Sequence, residues 1–128
     1  MHCPVRFAPF PPERIVGQNE FGIWICDGFP VSAGHSLIIP KRHVGSFFEV
    51  SPAEREGLLE LLDQAKAAVD AAHRPDGYNI GINDGAAAGQ TVPHLHLHLI
   101  PRFLSDVADP RGGVRWVIPE KADYWSGR

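Results

Sequence analysis

The sequence predicts an α+β fold, a mainly antiparallel sheet of about five strands with one long helix, residues 51–74, packed on it. Three observations predict it. Short β-branched and aromatic runs are separated by turns, with too few crossover helices for a parallel sheet. The stretch that begins Ser51-Pro52-Ala53-Glu54 carries helix-start signals followed by a long apolar stripe. Residues 94–100, HLHLHLI, alternate strictly, which is the period of a strand.

Taken in order, prolines at positions 4, 9, 11 and 12 make the first dozen residues an extended arm, and residues 1–20 are expected to be an N-terminal arm. FGIWIC (21–26) reads as a strand, DGFPVSAG (27–34) as a turn region and HSLIIP (35–40) as a second strand. KRHVGSFFEV (41–50) reads as a loop, with Lys41, Arg42 and His43 as solvated charges. Ser51 then suits the N-cap, Pro52 the first helical position, and Glu54 completes a capping box. Leu58, Leu61, Leu62, Ala65, Val69 and Ala72 follow at helical spacing. His73 and Arg74 complement the negative helix end, and Pro75 stops it. YNIGIN (78–83) alternates as a strand, DGAAAGQTVP (84–93) is a loop of small residues, and HLHLHLI is the next strand. After a polar stretch, VRWVI (114–118) reads as a last short strand within a C-terminal segment, 103–128.

The bulk numbers bound the function. A chain of 128 residues suits one domain, here 1–128, with 44% apolar and 21% charged residues. A net charge of −3 argues against a general nucleic-acid binder, so any phosphate affinity must be local. Cys3 and Cys26 form no metal or redox spacing, which suits a reduced, cytoplasmic protein. No signal peptide, membrane-spanning run or internal repeat is evident.

On a strand, His94, His96 and His98 share one face, and Leu95, Leu97 and Leu99 the other. The leucines read as core. A merely solvated face would not favour three identical residues. A metal-binding protein using the three histidines is an alternative, but His94 and His98 would stand ~13 Å apart at Cα, too far for one ion on a straight strand. Imidazoles along a line suit an extended polyphosphate. A neutral ring is a nucleophile near neutral pH, and a ring N–H can donate to a phosphate oxygen or a leaving group. The preceding Gly85 and Gly89 let backbone N–H groups approach a ligand, and Gln90 and Thr91 add side-chain donors. Position 90 is Gln rather than Lys, so the loop is no Walker A.

Residues 94–100 satisfy every position of the pattern His-apolar-His-apolar-His-apolar-apolar, and residues 27–44 and 79–102 resemble its companion segments in order. With these the chain resembles the histidine triad (HIT) superfamily of nucleotide hydrolases and transferases, in particular its bacterial diadenosine polyphosphate hydrolase-like members. The resemblance implies a HIT-like fold and a nucleotide hydrolase acting on dinucleoside polyphosphates or nucleoside phosphoramidates. His96 matches the nucleophile that forms a covalent nucleotidyl-histidine. His98 matches the residue at the scissile and α-phosphate oxygens, His94 the supporting histidine, and His35 an upstream histidine that packs near it. Asp27 matches the ribose-binding position, and Asn83, Gly89, Gln90 and Thr91 match phosphate-contacting ones. Ile25, or Phe or Ile side chains near it, would wall the base. His96 would be held in one tautomer by a carbonyl accepting from Nδ1.

In the related galactose-1-phosphate uridylyltransferases the third triad position is Gln; His98 here favours hydrolysis. Pro101-Arg102 resembles the dinucleoside-polyphosphate hydrolase side, and Arg102 is a candidate for steering an anionic substrate. Some bacterial relatives carry an N-terminal C-x-x-C at a zinc site; only Cys3 is present, so no protein-bound metal is expected, and Mg²⁺ only as a companion of the substrate's phosphates. The resemblance also implies a homodimer through a joined sheet, with Trp116, Tyr124 and Trp125 in a segment that reaches the partner subunit's site. A nucleotide-binding module without turnover remains the other alternative.

Overall fold

A computed structural model of the protein describes residues 11–127; Cys3 and the first half of the expected N-terminal arm lie outside the described residues. Its strands are β1 (Ile15–Gln18), β2 (Gly22–Cys26), β3 (Ser36–Pro40), β4 (Gly77–Gly81) and β5 (Leu97–Arg102), and helix α1 spans Pro52–His73. They form one five-stranded sheet in the order β1-β2-β3-β5-β4, with every neighbouring pair antiparallel.

The helix follows its start signals. Ser51 Oγ accepts from the Glu54 N–H at 3.1 Å, and Glu54 Oε1 accepts from the Ser51 N–H at 2.8 Å, so both halves of the capping box are present. At the other end Arg74 turns left-handed and its N–H bonds to the Asp70 carbonyl. Leu58, Leu61, Ala65 and Val69 are buried as the stripe requires; Leu62 is half-buried and Ala72 exposed. Gly57 is required by packing: a Cβ there would stand 2.6 Å from the Phe21 ring. The helix packs on Trp24, Ile38, Leu97 and Leu99, with Leu95 in the same cluster.

Arg42 is exposed, as expected of a solvated charge, but it is paired. Its guanidinium clamps Glu54 through Nε to Oε2 and Nη2 to Oε1, both 2.8 Å, and Nη2 also donates to the Glu49 carbonyl. That hydrogen bonding, with the Ser51 N–H, holds the Glu54 carboxyl down to about 2. The clamp ties the loop after β3 to the start of α1.

Three expectations are corrected. Residues 15–18, assigned to the arm, form edge strand β1, paired with β2 through a register shift between Ile15 and Gly17. Four residues with Gly17 among them carry too weak a pattern to read, yet that Gly is needed: a Cβ would stand 2.9 Å from the Trp24 ring. Residues 114–118 are not a strand but lie on a 3-10 turn, Gly113–Val117. Gly112 and Gly113 take positive φ at its start, and Trp116 Nε1 donates back to the Arg111 carbonyl at 2.8 Å. Third, β5 begins at Leu97 rather than His94. The Leu95 N–H bonds to the Val44 carbonyl outside any ladder, so the chain enters the sheet only after His96.

Candidate active site

The turn after β2 and the start of β5 bring Asp27, His35 and His98 together. Val31 N–H donates to His35 Nδ1 at 3.1 Å, so in the neutral ring the His35 proton sits on Nε2. Nε2 lies 3.0 Å from His98 Nδ1 and 3.3 Å from Asp27 Oδ2. His98 Nδ1 is therefore the acceptor, and His98 carries its own proton on Nε2. One hydrogen-bond chain thus fixes two tautomers. The other Asp27 oxygen, Oδ1, accepts from the Phe29 N–H at 2.8 Å, so Asp27 also shapes its turn.

His94 does not share the line expected for it. Its ring is fully buried, and Nε2–H donates to the Pro40 carbonyl at 2.9 Å. Leu95, expected on the opposite face, is buried as well. His94 Nδ1 lies 3.1 Å from Nδ1 of His43. Burial, then the nearby rings of His43 and His96, push the His94 ring down to about 4 despite its Pro40 bond. His96 is half-buried, and its ring hydrogen-bonds to the backbone of His94. That bond raises its proton affinity, as donation to a carbonyl does, while burial lowers it by more. Burial likewise lowers His98 and His35, against the pull of Asp27.

Asp27, Asn83, Gly89, Gln90, Thr91, His96 and His98 line one cleft of about 430 Å³, with Phe29, Leu37 and Val92 as its apolar walls. Seven of the nine residues singled out in the sequence thus meet there, and His35 and His94 stand behind them. Ile25 is outside that lining, buried beside Leu37 with Ile23 and Ile39, and of the side chains near it Phe29 lines the cleft. Gln90 is partly spent, since Oε1 accepts from the Gly85 N–H and Nε2 donates to the Gly45 carbonyl, both at 2.8 Å. It braces the loop rather than offering a loose donor. Gly85 and Gly89 take φ of +97°, the left-handed region that glycine tolerates. Asp84, not singled out in the sequence, accepts from Ser46 Oγ and the Phe47 N–H at 3.0 Å and ties this loop to residues 46–47.

Arg102 is no steering cation. It donates to both Asp106 oxygens at 2.8 Å and to Asn79 Oδ1 at 2.6 Å. A second hollow of about 570 Å³ adjoins the first across His98 and Asn83, with Ile80, Ile100 and Val114 among its lining.

A metal site fits poorly. His94 is sealed away from the cleft, so the three triad rings do not converge on one point. Asp27, His35 and His98 do place ligand atoms within 4.8 Å of one another. A metal needs a lone pair on His35 Nε2, however, and the Val31 bond to Nδ1 leaves the proton there.

A HIT domain match covers residues 10–104. The chain belongs to the HIT family. An uncharacterized HIT-like protein of Mycoplasma genitalium is 39% identical over 88 residues, covering 69% of this chain and 62% of that protein. A bis(5′-adenosyl)-triphosphatase of Saccharomyces cerevisiae is 30% identical over 130 residues, covering 99% of this chain and 60% of that protein. The chain therefore spans about three fifths of the length of these curated relatives. A crystal structure of a HIT family protein from Bacillus anthracis superposes with a TM-score of 0.67 at 37% identity, over 70% of this chain and 63% of that one. The HIT fold accounts for the sheet-and-helix architecture. Among the described residues no helix is long and apolar enough to cross a membrane.

The buried histidines of this HIT protein make its stability fall in mild acid. The unfolded His94 ring takes a proton near 6.5, but the folded ring only near 4. Between those values the unfolded state binds more protons, so stability is full above about 6.5 and drops as pH falls towards 4. The loss from His94 alone is about 3 kcal/mol, and the lowered His35, His96 and His98 add in the same direction. Urea unfolding at pH 7.5 and 4.5 checks this; equal midpoints would show that these rings are not buried as neutral groups.

Proposed function

We propose that this chain is a nucleotide hydrolase that transfers a nucleotidyl group to His96 and then to water. One observation carries the reading: His96 is held by the His94 backbone beside a His98 whose donor atom is fixed, and both rings line one cleft with a glycine-turned loop. With the ring N–H nearest Cβ donating to the carbonyl two residues back, His96 Nε2 keeps a lone pair for the α-phosphorus. As the N–P bond forms, the bond from phosphorus to the leaving group breaks with its electron pair on that group. The ring becomes cationic, and the His94 carbonyl stabilises it. His98 Nε2–H donates to the bridging atom where negative charge builds; a phosphate leaving group departs as its anion, and an amine leaving group takes up a proton from solvent as it departs. Water then attacks phosphorus, the imidazole leaves neutral, the nucleoside monophosphate is released, and the water's proton passes to solvent. Asp27 and the residues of loop 83–91 hold the ribose and the phosphates.

The substrates fitting this scheme are dinucleoside polyphosphates and nucleoside phosphoramidates. The triphosphatase relative aligned along nearly the whole chain supports the first. The hollow beyond His98 has room for the leaving group, and its tied-up Arg102 offers no unpaired cation. Mg²⁺ would arrive with the substrate's phosphates. A cytoplasmic homodimer joined along edge strand β4 is part of the same proposal; Ile80 on that strand is exposed, as are Val114, Trp116 and Val117.

The test is a panel of diadenosine polyphosphates and adenosine phosphoramidates, with rapid quenching and mass spectrometry of the protein. The expected result is turnover of at least one class and a nucleotidyl adduct on His96. An adduct on another side chain, or none with any substrate, removes the proposal.

A further inference from the structure

The segment leading into β5 and the loop after β3 meet at a second pair of histidines, His43 and His94, that mirrors His35 and His98. His43 is exposed and lines neither hollow at the site, so its ring has no evident contact with a bound substrate. Its Nδ1 is nevertheless 3.1 Å from His94 Nδ1, with ring centroids 5.1 Å apart. Two ring nitrogens at that distance share one proton. The Pro40 carbonyl can only accept, so the His94 proton is on Nε2, and the shared proton belongs to His43. The depressed proton affinity of His94 keeps it neutral, and so an acceptor, at neutral pH. His94 is thereby held at both ring nitrogens, and it is the residue whose backbone receives the hydrogen bond of the His96 ring.

We propose that His43 is a positioning residue for the nucleophile: by donating to His94 Nδ1 it fixes the residue whose carbonyl sets the tautomer of His96. This rests on the hydrolase reading. Without His43 a buried acceptor loses its partner, and His94 gains freedom to turn about its Pro40 bond. The His96 ring then samples the tautomer that places its proton on Nε2, which cannot attack phosphorus. The cleft walls are untouched, so nucleotide affinity stays. The Leu95 N–H bond to the Val44 carbonyl holds the same peptide unit as the His94 carbonyl. That carbonyl is therefore loosened rather than released and the effect is partial, while Gln90 Nε2 still reaches the Gly45 carbonyl.

The test compares His43→Leu, which removes the donor, with His43→Asn, whose side-chain amide nitrogen lies near the position of Nδ1. In single-turnover experiments the Leu variant should form the His96 adduct about tenfold more slowly, one neutral hydrogen bond expressed as a rate, with KM unchanged. The Asn variant should recover to within about twofold of wild type. In ¹⁵N spectra of the resting protein, His96 should show one tautomer in the wild type and in His43→Asn, and a mixture in His43→Leu. The wild type should also show a ¹⁵N–¹⁵N coupling across the bond between the two Nδ1 atoms. A wild-type rate or an unchanged His96 tautomer in the Leu variant overturns the proposal, and so does a missing coupling. The spectra need no substrate. A wild-type protein that forms no adduct but shows the coupling and the tautomer shift would therefore sink the hydrolase reading alone, and leave His43 setting the ring state. Should the Leu variant fail to fold, the coupling and the Asn variant still decide.

Discussion

His96→Ala abolishes turnover and leaves nucleotide binding close to wild type. The expected loss in kcat is about 10⁴-fold or more, because the substitution removes the atom that bonds to phosphorus rather than one that assists it. Binding survives because Asp27, Asn83, Gly89 and Thr91 line the same cleft and remain, as do the walls Phe29 and Leu37. The variant also keeps the His35–His98 pair, which is built without His96. Rate measurements beside calorimetric titration with a non-hydrolysable nucleotide give both quantities. Full hydrolysis by His96→Ala would show that the nucleophile lies elsewhere; loss of binding with loss of rate would make His96 a ligand contact instead. A nucleotide-binding module would lose nothing but contact area, so the split between kcat and affinity separates it from an enzyme.

The largest structural effect falls three residues further along, within β5. Leu99 is fully buried in the cluster between sheet and helix, and its backbone pairs with Ser36 on one side and Ile80 on the other. Leu99→Ala should cost about 3 kcal/mol of unfolding free energy, the transfer term plus an unfilled cavity, and lower the Tm by on the order of 10 °C. The flanking His98 and Ile100 point to the opposite face, so the protein that remains folded should still form the His96 adduct. Urea unfolding at pH 7.5 measures the first part and adduct formation the second. A cost below ~1 kcal/mol would mean that α1 does not close over this strand as tightly as its burial implies.

Local chemistry carried much of this into the sequence. Ser51, Pro52 and Glu54 announce the start of α1, and the spacing of Leu58, Leu61, Ala65 and Val69 is sufficient to place its buried stripe. The β-branched runs before Cys26 and Pro40 became β2 and β3 because both are flanked by turn residues. The same reasoning misplaced residues 114–118, whose composition suits a strand while the two glycines before them bend the chain into a 3-10 turn. It passed over β1, a four-residue edge strand whose identity comes from pairing with β2. Arg42 and His43 looked like solvent charges because the residues that receive them, Glu54 and His94, are 12 and 51 positions away.

The sequence by itself determined which residues have the chemistry: the alternation at 94–100, the glycine-bearing loop before it, and the apolar side chains that make Leu97 and Leu99 core. Only the tertiary structure decided what each histidine does. It turned His94 inward to the Pro40 carbonyl, 54 residues back, and set His98 against His35, 63 residues back. The reason is physical: a neutral imidazole has one proton and two nitrogens, and which nitrogen keeps it depends on partners that folding alone brings within reach.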